Sequence, residues 1–127
     1  MREAIEAWAK KGALTHLHMC GKVSHLLELI PETGTQIFET LTPPPLGDIT
    51  MKEAVARIGK KVCLKGNLNP LGKLRDGTPE EALAEAKTCV REGFRDRTGF
   101  IFSVADCLAK DTPEENIAAV AEYLVSL

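Results

Sequence analysis

An α/β fold built on a parallel sheet is what the sequence predicts, and three observations carry it. Four short apolar segments recur along the chain, around Leu14–Gly21, Gln36–Thr40, Val62–Asn67 and Gly99–Cys107. Stretches whose apolar residues return at helical spacing separate them, so no two of these segments are joined by a tight hairpin. The run Thr-Pro-Glu-Glu occurs twice, at Thr78 and Thr112, each time just ahead of a helical stretch. Strands that alternate with helices imply a parallel sheet with right-handed crossovers. Two architectures satisfy this pattern: a small open doubly wound sheet, or half of an eight-stranded β/α barrel, whose full circuit needs about 250 residues.

Each element has its own local warrant. From Arg2 to Lys11, Ile5, Ala7, Trp8 and Ala9 sit among charged residues in a helical stripe that stops at Gly12. The run LTHLHMCG then forms the first strand. Val23, Leu26, Leu27 and Ile30 follow at helical spacing, which predicts a helix over Val23–Leu29 with Ser24 near its start and Pro31 beyond its end. Gln36–Thr40 is the second strand, and the loop after it, Leu41 to Asp48, holds three consecutive prolines that exclude regular structure. Met51, Ala54, Val55 and Ile58 predict a helix ended by Gly59, ahead of the third strand, Val62–Asn67. Thr78, with proline in the first helical position and Glu81 completing a capping box, opens a helix running to about Glu92. The fourth strand and a last helix through Ile117, Val120, Ala121 and Leu124 complete the chain, the latter opened by the second Thr-Pro-Glu-Glu.

Composition narrows the function. At 127 residues the chain suits one domain with a respectable core. Sixteen basic against eighteen acidic residues leave a net charge of −2, and no basic run or aromatic ladder is present, which argues against nucleic-acid binding. No apolar stretch approaches the roughly 18 residues of a membrane span, and the N-terminal segment lacks a signal peptide's apolar core, so a cytoplasmic protein is expected. Cys20, Cys63, Cys89 and Cys107 lack a tight framework spacing, which in a reducing compartment points to thiols or metal ligands; Cys63 and Cys89 read as packing residues. No glycine-rich phosphate fingerprint follows any strand.

The run LTHLHMCG places His16, His18 and Cys20 on one face of its strand, because side chains alternate. His18 and Cys20 then direct an imidazole and a thiolate into the same space, a plausible pair of zinc ligands. A catalytic zinc site needs three protein ligands and one open position, so the third must come from elsewhere in the chain. A buried cysteine beside a hydrogen-bonded histidine satisfies the same pattern without metal. His25 reads as a helix-surface residue, and His16 as lining a barrel or packing beneath the site.

HMCG, IFETLTPPPLGD, LKGNLNP and SVADCLAKDTPEEN occur in this order over nearly the whole chain, and together they resemble the second half of the uroporphyrinogen decarboxylase-like family. The resemblance implies the C-terminal half of an eight-stranded β/α TIM barrel, with residues 1–127 forming a partial barrel domain whose N-terminal half is absent. The family includes decarboxylases and cobalamin-dependent methyltransferases, in which a His-x-Cys-Gly motif and a later cysteine bind zinc that activates a substrate thiol. His18 and Cys20 match that motif, and Gly66-Asn67 matches the family's glycine-asparagine pair. The methyltransferase pattern sets its last cysteine seven residues before the proline of the final helix, a position occupied by Asp106, with Cys107 one residue later. Either residue suits zinc as the third ligand. The Leu-Gly-His-Gly run usual in decarboxylases is replaced here by Val104-Ala105-Asp106-Cys107, which favours the methyltransferase branch.

What the resemblance implies is therefore zinc-dependent methyl transfer between methylcobalamin, free or on a corrinoid protein, and a thiol or similar acceptor. Glu39 then either orients substrate or a ligand histidine, or is a solvated carboxylate at the loop entry. Asn67 either hydrogen-bonds substrate or caps the following turn. Decarboxylation of a porphyrin precursor and a non-catalytic half-barrel are the competing readings. A half-barrel exposes two strand edges and an apolar face, so the expected partner is the missing N-terminal half or a second copy of the chain.

Overall fold

The computed structural model describes residues 1–95 and 99–127. In chain order its elements are α1 (Arg2–Ala9), β1 (His16–Met19), α2 (Leu29–Glu32), β2 (Ile37–Thr40), α3 (Met51–Ile58), β3 (Cys63–Leu68), α4 (Lys73–Asp76), α5 (Pro79–Gly93), β4 (Phe100–Val104) and α6 (Glu114–Val125). The strands are parallel and hydrogen-bonded in sequence order, β1-β2-β3-β4. That order chooses between the two architectures. A doubly wound sheet reverses direction at a switch point and places helices on both faces. Here every crossover advances to the next strand, so right-handed connections carry the helices to one side, as in a section of a β/α barrel.

Burial follows that geometry. Phe38, Leu64 and Phe100, one from each of β2, β3 and β4, point into a layer shared with Leu27, Ile30, Ile49, Met51, Val55 and Ile58. Phe38, Leu64 and Leu27 are wholly buried, and each such side chain contributes about 1.5–3 kcal/mol. A second cluster, Leu68, Leu74, Ala82, Ala86 and Val120, joins α4, α5 and α6, and Phe102 touches both clusters. Among the described residues nothing covers the other face of the sheet: His16, His18 and Ile101 are exposed, and Ile37, Glu39, Cys63, Lys65 and Ser103 are half-buried. α1 buries no residue, and its Trp8 is 61% exposed. Among the described residues no helix is long and apolar enough to cross a membrane.

Three local expectations are corrected. The segment expected as one helix over Val23–Leu29 is a 3-10 turn, Ser24–Leu26, followed by the short α2. The Asp48 carboxylate takes the backbone N–H groups of Val23 and Ser24, and Arg57 Nη2 takes the Ser24 carbonyl, so the first turn is tied to other parts of the chain. Pro31 lies inside α2 rather than beyond it, in the first turn, where a missing N–H leaves no intrahelical bond unmade. The second Thr-Pro-Glu-Glu forms no capping box: α6 starts at Glu114, and the Thr112 hydroxyl donates to the Ala109 carbonyl instead. At Thr78 the box forms as expected. α4 was not expected; it is a single turn set between Gly72 and Gly77.

Candidate functional site

The open face of the sheet is organised around one carboxylate. In register across the sheet, His18 stands beside Glu39, Glu39 beside Lys65 and Lys65 beside Ile101. Glu39 Oε1 accepts from His18 Nδ1 at 2.8 Å. Its Oε2 meets Lys65 Nζ at 2.7 Å and His16 Nε2 at 3.0 Å. Alternation along the strands puts these residues on one face: Leu17, Phe38 and Leu64 lie between them in sequence and turn to the helix layer. Burial acts to raise the Glu39 pKa, but the hydrogen bonds from Lys65 and His18, with His16 and the Lys65 charge nearby, outweigh it and bring it down to about 2. Glu39 is therefore an anion at neutral pH. A neutral His18 that donates from Nδ1 keeps the lone pair of Nε2 free for another partner.

Beyond the strands, Cys20 and Gly21 after β1 meet Asp106 and Cys107 after β4 in one open cavity of about 450 Å³, with Leu46, Pro70 and Leu71 completing the lining. β1 and β4 are the edge strands of the sheet, yet the segments that follow them reach a common mouth together with loop residues from after β2 and β3. Cys20 and Cys107 are exposed free thiols. Asp106 Oδ1 already accepts from the Cys107 N–H at 2.8 Å, which leaves its second oxygen and the Cys107 thiol as the open donors. Nitrogen, sulfur and carboxylate oxygen are donors of the kind zinc takes. Among the described residues no three His, Cys, Asp or Glu side chains stand close enough together to form a complete metal cluster. The donor types fit zinc, and their assembly around one point is not preformed.

Asn67 lies on the other side of the strand end. Its Nδ2 donates to the Leu41 carbonyl at 3.0 Å, its backbone N–H to Cys89 Sγ at 3.1 Å, and the Cys89 thiol to the Gly66 carbonyl at 3.4 Å. The side chain thus ties the end of β3 to the loop after β2 and to α5. Cys89 is more than a packing residue, since it joins this network while burial pushes its thiol up to about 11. Cys63 is half-buried on the open face, and burial raises its pKa. Thr40 and Leu41, next to Glu39, hold φ of 87° and 50°, values costly for residues other than glycine. The Thr40 hydroxyl donates to the Met19 carbonyl. His25 is exposed in the 3-10 turn.

Sequence reasoning missed Lys65 and assigned His16 no bond. The signal for Lys65 was present: in Val62-Cys63-Leu64-Lys65 the apolar Val62 and Leu64 take the helix side, which leaves Lys65 on the face of Glu39.

The uroporphyrinogen decarboxylase (URO-D) family model matches residues 1–126. A uroporphyrinogen decarboxylase of Dechloromonas aromatica is 35% identical over 78 residues, 61% of this chain and 21% of its own. A methylcobamide:CoM methyltransferase of Methanosarcina mazei is 24% identical over 121 residues, 95% of this chain and 32% of its own. The solved structure of a methyltransferase from Methanosarcina mazei superposes with a TM-score of 0.74 at 23% identity, covering 98% of this chain and 36% of that one. The chain thus spans between about a fifth and a third of the length of these curated relatives. A family match over almost every residue, on a singly wound run of parallel strands whose polar groups gather on the uncovered face and at the strand ends, places the chain in the uroporphyrinogen decarboxylase family.

Proposed function

We propose that residues 1–127 are a partial β/α barrel domain that supplies part of the strand-end site of a methyltransferase, moving a methyl group between a corrinoid and a thiol or similar acceptor. The observation that carries this reading is the His18 ring held through Nδ1 by Glu39 at 2.8 Å, two residues ahead of the exposed Cys20. A carboxylate behind a histidine is the arrangement that orients a metal ligand and raises its basicity. His18 and Cys20, with Asp106 or Cys107 from the end of β4, would hold the zinc. Zinc, when bound, lets a thiol stay ionised at neutral pH. The protein's own groups do the rest: Glu39 keeps His18 in one orientation, and Asn67 secures the backbone beside Glu39 through Leu41.

Two of the relatives support the corrinoid and thiol chemistry, the methylcobamide:CoM methyltransferase and a methylated-thiol:coenzyme M methyltransferase, the latter 29% identical over 103 residues. The partners are accordingly a corrinoid protein or free cobalamin and a small methyl acceptor. Among the described residues β1 and β4 are the edge strands, so further strands, from a longer chain or from a second copy, would pair there. Elemental analysis of protein purified without chelator tests the reading. About one zinc per chain is expected, lost in Cys20→Ala. A content below roughly a tenth of an equivalent that Cys20→Ala leaves unchanged refutes it.

Decarboxylation of a porphyrin precursor is the second reading, favoured by the 35% and 39% identities to decarboxylases over about three-fifths of the chain. It requires no metal at His18 and Cys20, so the same analysis separates the two.

A further inference from the structure

Glu39 is contacted from three sides, and the metal reading uses only one of them. Lys65 Nζ and His16 Nε2 both lie against Oε2, while His18 Nδ1 lies on Oε1. Lys65 comes from β3 and sits in register with Glu39, and His16 comes from β1 two residues before His18, so the carboxylate is held between its two neighbouring strands. The exposures make this consequential. The His18 side chain is 51% exposed, whereas those of Lys65 and Glu39 are 28% and 19% exposed. A single hydrogen bond to a half-exposed histidine does little to hold the ring, because water competes for both partners. A carboxylate whose other oxygen is already bound by an ammonium and an imidazole has lost its own rotamer freedom before it meets His18.

We propose that Lys65, assisted by His16, is a positioning residue: it locks the Glu39 carboxylate, and through it the orientation and the Nδ1–H tautomer of His18. The proposal rests on the metal reading only for the use to which the oriented ring is put. Its structural content is independent of metal. Loss of Lys65 leaves a carboxylate with one exposed imidazole on each oxygen, free to rotate into solvent.

The test compares the full chain with Lys65→Met and Lys65→Arg, each checked for an unchanged thermal transition. Nitrogen-15 spectra of metal-free protein in mildly alkaline buffer, where imidazoles are neutral, report the His18 tautomer. A single Nδ1–H form is expected in the parent chain and in Lys65→Arg, and exchange-averaged signals in Lys65→Met. Cobalt(II) titration supplies the second readout: Lys65→Met should bind about 10–100-fold more weakly than the parent, with Lys65→Arg restoring most of the loss. Averaged signals already in the parent chain, or an unchanged His18 spectrum in Lys65→Met, overturn the proposal whatever the metal does. Equal cobalt affinity in parent and Lys65→Met overturns it too. A locked parent tautomer that Lys65→Met releases, in a chain that binds no metal, upholds the positioning role and refutes the zinc reading instead. Should Lys65→Met not fold, His16→Ala, at an exposed position on an edge strand, carries the same spectroscopic test.

Discussion

Replacing Gly66 by alanine should damage the protein far more than replacing Gly12, although both glycines have φ in the positive region. Gly12, with φ of +79°, has nothing within 4 Å of where a Cβ would stand. Alanine there meets only the left-handed penalty of about 1–2 kcal/mol, partly offset by a less flexible unfolded chain, for a net loss of roughly 1 kcal/mol. Gly66, with φ of +144°, would place a Cβ 2.5 Å from the Thr40 carbonyl oxygen. The backbone term there is about 1–3 kcal/mol, and relieving a clash against main chain adds about 1–3 kcal/mol more. The expected loss is therefore about 2–6 kcal/mol, a large part of the roughly 5–15 kcal/mol that holds a domain together. The Thr40 carbonyl has little room to yield, because Thr40 itself is bound to Met19 and the next residue, Leu41, is held by Asn67 Nδ2. Urea unfolding of Gly12→Ala and Gly66→Ala, read as midpoints with the slopes compared, provides the measurement. Equal losses in the two variants would refute the reasoning, since the close approach to Thr40 would then count for nothing.

Asp48 links acid stability to the turn after β1. The Ser24 hydroxyl, foremost, and the N–H groups of Ser24 and Val23 hold its carboxyl below the usual range against an opposing contribution from burial. A folded pKa below the unfolded one means that its stabilisation is present above the unfolded value, near 3.9, and is lost as pH falls through the folded one. Urea midpoints between about pH 5 and pH 2 should fall less steeply in Asp48→Asn than in the parent chain, and parallel slopes would contradict this. Asn116, 1% exposed, donates through Nδ2 to the carbonyls of Leu74 and Gly77, so Asn116→Ala should cost about 1–3 kcal/mol by calorimetry or urea unfolding.

The element types were legible because they rest on local chemistry. Thr78-Pro79-Glu80-Glu81 carries its cap, its N1 proline and its returning glutamate within four residues, and the capping box forms. The same four residue types at Thr112 do not close a box, because the Thr112 hydroxyl finds the Ala109 carbonyl first. Val23, Leu27 and Ile30 are in the core as their spacing required, yet the helix they suggested is broken, since Asp48 and Arg57 compete for its backbone groups from farther along the chain. A local pattern predicts burial more securely than it predicts hydrogen-bond partners, which distant residues can claim.

By itself, then, the sequence determined that strands and helices alternate, that His16 and His18 share a face, and that the chain carries the family's motifs in order, because period, turn chemistry and motif order are properties of neighbours in the chain. Only the tertiary structure decided that the strands run β1-β2-β3-β4 and leave one face open, since a crossover can step to either side of a strand with the same local sequence. It also decided that Glu39 sits between His18 and Lys65, and that Cys20 and Cys107 line one mouth. Those contacts depend on strand register and on where the strand-end loops meet, which bring together residues as far apart in the chain as Cys20 and Cys107, and no local signal in either segment encodes them.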